Sequence, residues 1–459
     1  MRRALSGGIL WIGLAGWLGY AQPLAAEPVA VDSLKEASPA GNQQIEEVSD
    51  ALKRFRTGDL EGAKTLLDTA FKKHPELPPP RLILVQWLAQ SNQGAAVRNQ
   101  LEQAVTEMPD DPEAYVIIGD LAVQGRRLTE AELVFKKARE VLANFKGDGR
   151  RKSVIERRVL QGLATVAQNR QDWTTAQKDW EQLLAMDSKN AVALQQLAWV
   201  LFQQQKPTDA LEKLKAAQAA DKNVLTPEAI LAQFYQRNGD KKSAAKWMVA
   251  ALTAAPKDLR TRIFATQWSL DTDQLQQAQQ QADSALQLDP TSVDAHFLRG
   301  VVALYLKDYP KATECFQKVV SESPSSFPGS NNLALSLAEQ DDTAKKKALE
   351  YAEMNARQFP NQAEAFSTLG WVYYKLGRLD EAETALRKAI SSGQLSADTA
   401  YYIARISVDR DRKDEARQLL EQALRSTAPF SMRSEAKSLL EQLTKSSGGD
   451  KKDESGAKK

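Results

Sequence analysis

Apolar and small residues in this chain recur with helical spacing, and the pattern itself repeats. In the stretch from Asn361 to Ser391, Phe366, Leu369, Gly370 and Tyr373 form one stripe, and Ala382, Leu386 and Ala389 form a second. The spacing predicts two amphipathic helices joined by a short turn. Related stripes occur at Tyr115, Ile118, Gly119, Ala122, Ala131, Phe135 and Ala138, and at His296, Gly300, Ala303, Ala312, Phe316 and Val319. Stepping by 34 residues from these copies finds eleven repeats, starting at Gln44, Pro78, Pro112, Arg157, Ala191, Leu225, Leu259, Val293, Phe327, Ala363 and Ala397. The register breaks at an insertion of 11 residues, 146–156, and at two extra residues in the repeat from Phe327.

One position tests the periodicity. The small residue through which the second helix would press on the first falls at Ala63, Val97, Ala131, Ala176, Ala210, Ala244, Ala278, Ala312, Ala348, Ala382 and Ala416, alanine in ten of eleven repeats. Its counterpart in the first helix is mostly small as well: Ala51, Gly119, Ala164, Ala198, Ala232, Gly300, Ala334, Gly370 and Ala404. Glycine inside a helix costs about 1 kcal/mol, which a close approach of two helices would justify. Pro75, Pro109, Pro256, Pro290, Pro324 and Pro360 stand where each second helix should stop.

These positions resemble the tetratricopeptide repeat over 44–430. The resemblance implies an all-α, right-handed α-solenoid of about eleven helix-turn-helix units, each stabilised by stacking on its neighbours rather than alone. It implies repeats over 44–145 and 157–430, separated by a basic insertion at 146–156. Ala436, Leu439, Leu440 and Leu443 make one apolar stripe beside charged residues, so 431–445 should cap the array. The charged, Gly/Ser-rich stretch 446–459 is expected to be disordered.

The N-terminus changes the setting. Arg2 and Arg3 precede an uncharged run from Gly7 to Ala21, with small residues at Ala21 and Ala26. Residues 1–26 read as a cleaved signal peptide, because the apolar run is shorter than the roughly 20 residues that span a bilayer. Residues 27–43 would be a linker. The expected location is periplasmic or secreted; an uncleaved segment would instead anchor the chain, the only direct membrane contact foreseen. Cys315 is the one cysteine, so no disulfide can form within the chain.

Without Arg2 and Arg3 the 61 basic residues fall to 59, equal to the 59 acidic ones. A neutral chain does not suit nucleic acid, whose binding depends on neutralising phosphates. Catalytic constellations are also missing. The two histidines, His74 and His296, offer little to a zinc or triad site, and a Cys315–His296 dyad would use two helix-packing positions. The Ser243 and Ser434 S-x-x-K matches lack companion motifs, and Asp110–Asp111 and Asp341–Asp342 suit helix starts. The expectation is a non-enzymatic scaffold with protein partners and no metal, catalytic residue or small-molecule cofactor.

In tetratricopeptide proteins, positions 2, 5, 9, 12 and 13 of each repeat line the concave face. The lysine and asparagine of the family's carboxylate clamp do not occur at positions 5 and 9, and only Asn332 fits the asparagine ladder of its glycosyltransferase members. The resemblance therefore implies a groove without naming its ligand. Its middle repeats place Gln161, Gln168, Gln195, Gln203, Gln233, Gln236 and Gln267 there; later ones place Phe297, Tyr305, Trp371, Tyr374 and Tyr401. Those five aromatic residues are the expected partner groove, since rings bring large contact area at low entropic cost. Lys146, Arg150, Arg151 and Lys152 form a candidate patch for an acidic partner or polysaccharide, against the alternative, favoured by the charge pattern, of a solvated helix extension. Asn331 to Ala334 and Leu369 to Tyr374 resemble repeats of bacterial envelope proteins. That resemblance implies a second expectation, a part in exopolysaccharide export, pilus or other envelope assembly.

Overall fold

The computed structural model describes residues 45–75, 77–91, 93–147, 149–391, 395–426 and 430–449. The signal, the linker and the last ten residues lie outside them. The described residues contain helices and no strands, and they divide into two compact units, one ending at Trp247 and the other beginning at Met248. Among them, no helix is long and apolar enough to cross a membrane.

The first unit contains α1 (Glu46–Arg56), α2 (Leu60–Lys73), α3 (Pro80–Gln90), α4 (Gly94–Glu107), α5 (Pro112–Gln124), α6 (Leu128–Ala143), α7 (Gly149–Asn169), α8 (Trp173–Met186), α9 (Ala191–Gln203), α10 (Pro207–Ala220) and α11 (Pro227–Arg237). The division falls inside α12 (Lys241–Ala254). The second unit contains α13 (Leu259–Asp271), α14 (Leu275–Leu288), α15 (Val293–Tyr305), α16 (Tyr309–Glu322), α17 (Phe327–Ala338), α18 (Asp342–Gln358), α19 (Ala363–Lys375), α20 (Leu379–Ile390), α21 (Ala397–Asp409), α22 (Lys413–Arg425) and α23 (Arg433–Gly449). Within each unit consecutive odd and even helices pair as hairpins, from α1 with α2 to α9 with α10 and from α13 with α14 to α21 with α22, and α23 packs on α22. First helices also touch across repeats, as in α5 with α7 and α17 with α19. This is an α-solenoid.

The repeat positions explain the packing. Of the eleven small residues of the second helices, ten are fully enclosed and Val97 is 6% exposed. A Cβ built on Gly119 would stand 2.7 Å from the Phe135 ring, and one on Gly300 would stand 2.7 Å from Phe316. Glycine lets a ring lie directly on the first helix. The turn between the helices is equally regular. Its residue has positive φ at Gly58, Arg126, Gln171, Gln205, Gly239, Asp273, Lys307, Gly377 and Asp411. From Gln171 to Lys307 they recur every 34 residues, and again from Gly377 to Asp411, so one chain reversal is repeated and its spacing resumes after the insertion. The repeat from Phe327 differs, because Asp341 there caps α18 with φ −71° and accepts from the Ala344 N–H.

The structure adds detail at two boundaries. The insertion 146–156 is mostly helix, since α7 starts at Gly149 and runs 21 residues. Ile155 buries its side chain there, so the extension adds apolar contact and not only length. The closing helix continues to Gly449, four residues into the stretch expected to be disordered. Extending a formed helix costs little compared with starting one.

Candidate functional site

The five aromatic residues expected to line a groove lie on the first helices of the second unit, but the chain buries two of them, Trp371 and Tyr401, and half-buries the other three. Trp371 on α19 is 4% exposed and Tyr401 on α21 is also 4% exposed. Trp371 stacks on Tyr402 with centroids 4.4 Å apart, and on Tyr374 at 5.1 Å. Its Nε1 donates to Glu339 Oε1 at 2.7 Å, while Lys375 Nζ donates to Glu339 Oε2 at 2.8 Å. The ring's polar tip is thus satisfied within the fold. Tyr374 keeps a half-buried position, and its hydroxyl accepts from Arg405 Nε at 3.3 Å and Nη2 at 3.2 Å. Phe297 packs edge-on against Phe316, and the Tyr305 hydroxyl is enclosed without a hydrogen-bond partner among the described residues. Trp371 and Tyr401 are core residues in this conformation, a correction to their expected place on an open groove.

The chain's own C-terminal segment reaches the same region. Lys307, in the left-handed turn between α15 and α16, donates to Ser431 O at 2.6 Å and pairs with Glu435 on α23 at 2.8 Å. Phe430 and Met432 join the same apolar cluster as Trp371, Tyr401 and Tyr402. A segment more than 120 residues away in sequence therefore closes over the repeat from Val293. Burial pushes the Asp398 carboxyl up to about 6 against the pull of Lys307, and pushes Tyr401 up to about 12. Burial likewise raises Asp271 to about 6, with Gln267 opposing it through a hydrogen bond. Glu339 and Tyr402 complete the cluster and were not singled out from sequence. An acidic residue at position 13 and a tyrosine beside a groove tyrosine give no distinctive signal.

The first unit presents a different first-helix face. Gln168 Nε2 donates to Gln196 Oε1 at 2.9 Å and its Oε1 accepts from Trp180 Nε1 at 3.0 Å. Gln203 Nε2 donates to Asn238 Oδ1 at 3.1 Å, and Gln236 Oε1 is enclosed without a partner. Trp199, at position 9 of α9, is half-buried, wedged edge-on against Phe234 at 4.9 Å and near Phe202 at 5.9 Å. The exposed Arg237 places its Cζ 4.0 Å above the Trp199 ring. Desolvation lowers the pKa of this guanidinium. The sequence placed Trp199 and Arg237 at repeat positions 9 and 13, yet only their pairing across two repeats distinguishes them.

The basic patch is divided. Lys146 and Arg150 are exposed and Lys152 is half-buried, but Arg151 points inward. It pairs with Asp111 and with Glu113, each at 2.7 Å, and the patch loses this charge because the insertion docks as helix on α5. Asp111 also caps α5 by accepting from the Glu113 N–H. Cys315 is 1% exposed and burial raises its thiol to about 11, so it is poorly suited to act as a thiolate. His296 Nε2 lies 2.9 Å from Pro290 O, a bond within its own loop. An open cleft of about 380 Å³ lies on the hairpin α19–α20, floored by Phe366, Leu369 and Tyr373 and rimmed by Asp380, Glu381 and Lys388.

Comparison with known proteins bears on the repeat. The tetratricopeptide repeat family model matches residues 88–147, 162–224, 270–327 and 367–430. No curated protein matches by sequence. Among solved structures, a tetratricopeptide repeat protein from Parabacteroides merdae is 16% identical, covering 55% of this chain and 98% of that one, with a TM-score of 0.44. A thermophilic TPR protein of Thermus thermophilus is 20% identical over 40% of this chain and 99% of its own, with a TM-score of 0.35. Yeast Tom70 is 13% identical, covering 88% of this chain and 96% of its own, again with a TM-score of 0.35. With family matches over more than half its length, the chain belongs to the tetratricopeptide repeat family.

Proposed function

We propose that this protein is an exported, non-enzymatic scaffold that holds an extended peptide of a partner protein against the first-helix face of the repeats from Arg157 to Leu225. The repeat fold supports protein partners in general. The observation that carries the finer reading is the contrast between the two faces. In the second unit Trp371 and Tyr401 are buried in a cluster that also holds Phe430 and Met432 of the C-terminal segment, whereas in the first Trp199, Gln233, Gln236 and Arg237 remain partly or fully open. Amide side chains both donate and accept, as an extended backbone requires. The export part rests on Met1 to Ala26 and predicts an intact mass that starts after Ala21 or Ala26.

Photocrosslinking in intact cells tests the binding face. A photoreactive phenylalanine analogue at Gln203 should yield protein adducts, while the same probe at Leu133, 65% exposed on α6, should not. Adducts at Leu133 with none at Gln203 would overturn the groove. They would favour a structural part of an envelope assembly, acting through second-helix or end surfaces.

A further inference from the structure

Arg237 differs from Arg158 and Lys375, two other cations on first helices, in what it is paired with. Arg158 is held by Asp120 at 2.6 Å, and Lys375 by Glu339 at 2.8 Å. Arg237 has a ring beneath it and no carboxylate partner among the described residues. The ring is itself held, because Trp199 is wedged by Phe234 and Phe202, and Phe202 packs edge-on against Tyr235 at 4.8 Å. Stacking restrains a guanidinium without using its N–H groups, which leaves a planar fork of donors directed outward. Such a fork matches a carboxylate with two parallel hydrogen bonds. Its desolvation is not offset by any acid of the fold, so an incoming anion would compensate a cost already incurred.

The surroundings narrow the ligand further. Gln203 is bonded to Asn238, and Gln233 and Gln236 are half-buried on the same helix as Arg237. Gln161, Gln168 and Gln195 continue the amide character through the preceding repeats. An anion here would therefore arrive on a main chain that itself needs donors and acceptors on both sides. We infer that Arg237, stacked on Trp199, receives the side-chain carboxylate of an aspartate or glutamate within an extended acidic peptide. This rests on the peptide-binding reading above and adds the chemistry of one contact.

The test uses the full chain and a randomised library of N-acetylated, C-amidated heptapeptides, with a second library ending in free carboxylates and a third containing phosphoserine. The wild type should enrich aspartate or glutamate over asparagine and glutamine at one position of the blocked library. Arg237→Gln should weaken the selected peptides by roughly tenfold, as expected for losing a charge-assisted pair. Arg237→Lys should restore part of the loss, with unchanged thermal unfolding showing that each variant folds. Selection of blocked peptides without preference for acids, or a preference that survives Arg237→Gln, would overturn the carboxylate contact and leave the groove standing. Preference only for free C-termini or only for phosphoserine would overturn the side-chain assignment. Failure to select peptides from any library would overturn the peptide groove with it.

Discussion

At the scale of single residues, the fold depends on how closely two helices can approach. Gly300 lies under the Phe316 ring with room for no Cβ, whereas the same repeat position carries Ala198 where the second helix offers Leu214 instead. Gly300→Ala should therefore destabilise by about 1–3 kcal/mol through overpacking, although alanine has the better helix propensity. In a Phe316→Leu background the added methyl should cost less than about 1 kcal/mol, and a double-mutant cycle from denaturant unfolding measures the coupling. These positions were readable because a small residue recurring every 34 places has one geometric use. The position-9 rings were not. Trp371 and Trp199 occupy the same register, and one is core and the other half-open because of what lies over them.

Asp398 carries a second residue-scale prediction. Its carboxyl is raised to about 6 in the fold by burial, above the ordinary value of 3.8. The folded state then binds more protons than the unfolded state between these values, so this group makes stability fall as pH rises from about 4 to about 6. Above 6 the ionised carboxylate imposes its full cost. Asp398→Asn should stabilise the second unit at pH 7, by about 1–3 kcal/mol at most given the opposing Lys307, and should have little effect near pH 3. Chemical denaturation at both pH values checks this, and a larger effect at the acidic end would contradict the assignment.

At the scale of elements, the insertion shows how a charge pattern misleads. Lys146, Arg150, Arg151 and Lys152 look alike in sequence, but helix geometry turns them in different directions and puts Arg151 against Asp111 and Glu113. Those two acids were visible only as helix-start residues. Their second role depends on α7 beginning at Gly149 and packing back on α5. Arg151→Met leaves two buried carboxylates facing each other and should cost about 3–5 kcal/mol. Adding Asp111→Asn and Glu113→Gln should recover much of that loss, since the penalty comes from uncompensated charge more than from the missing bonds. Partner binding at Arg237 should persist in the triple variant once folding is restored.

At the scale of the whole molecule, the succession of helical hairpins was legible because period, small residues and turn positions agree with one another. The return of the C-terminal segment to Lys307 was not, since no periodic signal joins residues 307 and 435. A repeat array normally transmits stability between neighbours alone. Here one contact set skips α16 to α22 and ties the turn after α15 to the start of α23. Ending the chain after residue 429 should therefore do more than fray α21 and α22, which lose the cover of Ala436, Leu439 and Leu443. Amide exchange should also rise around Tyr305 to Tyr309, and the fluorescence of Trp371 should shift to the red as its cover is removed. A strictly nearest-neighbour array would confine the new exchange to the last hairpin. Lys307→Ala in the full chain separates the causes: it should raise exchange at the same turn while the closing helix, still buried on α22, keeps its protection.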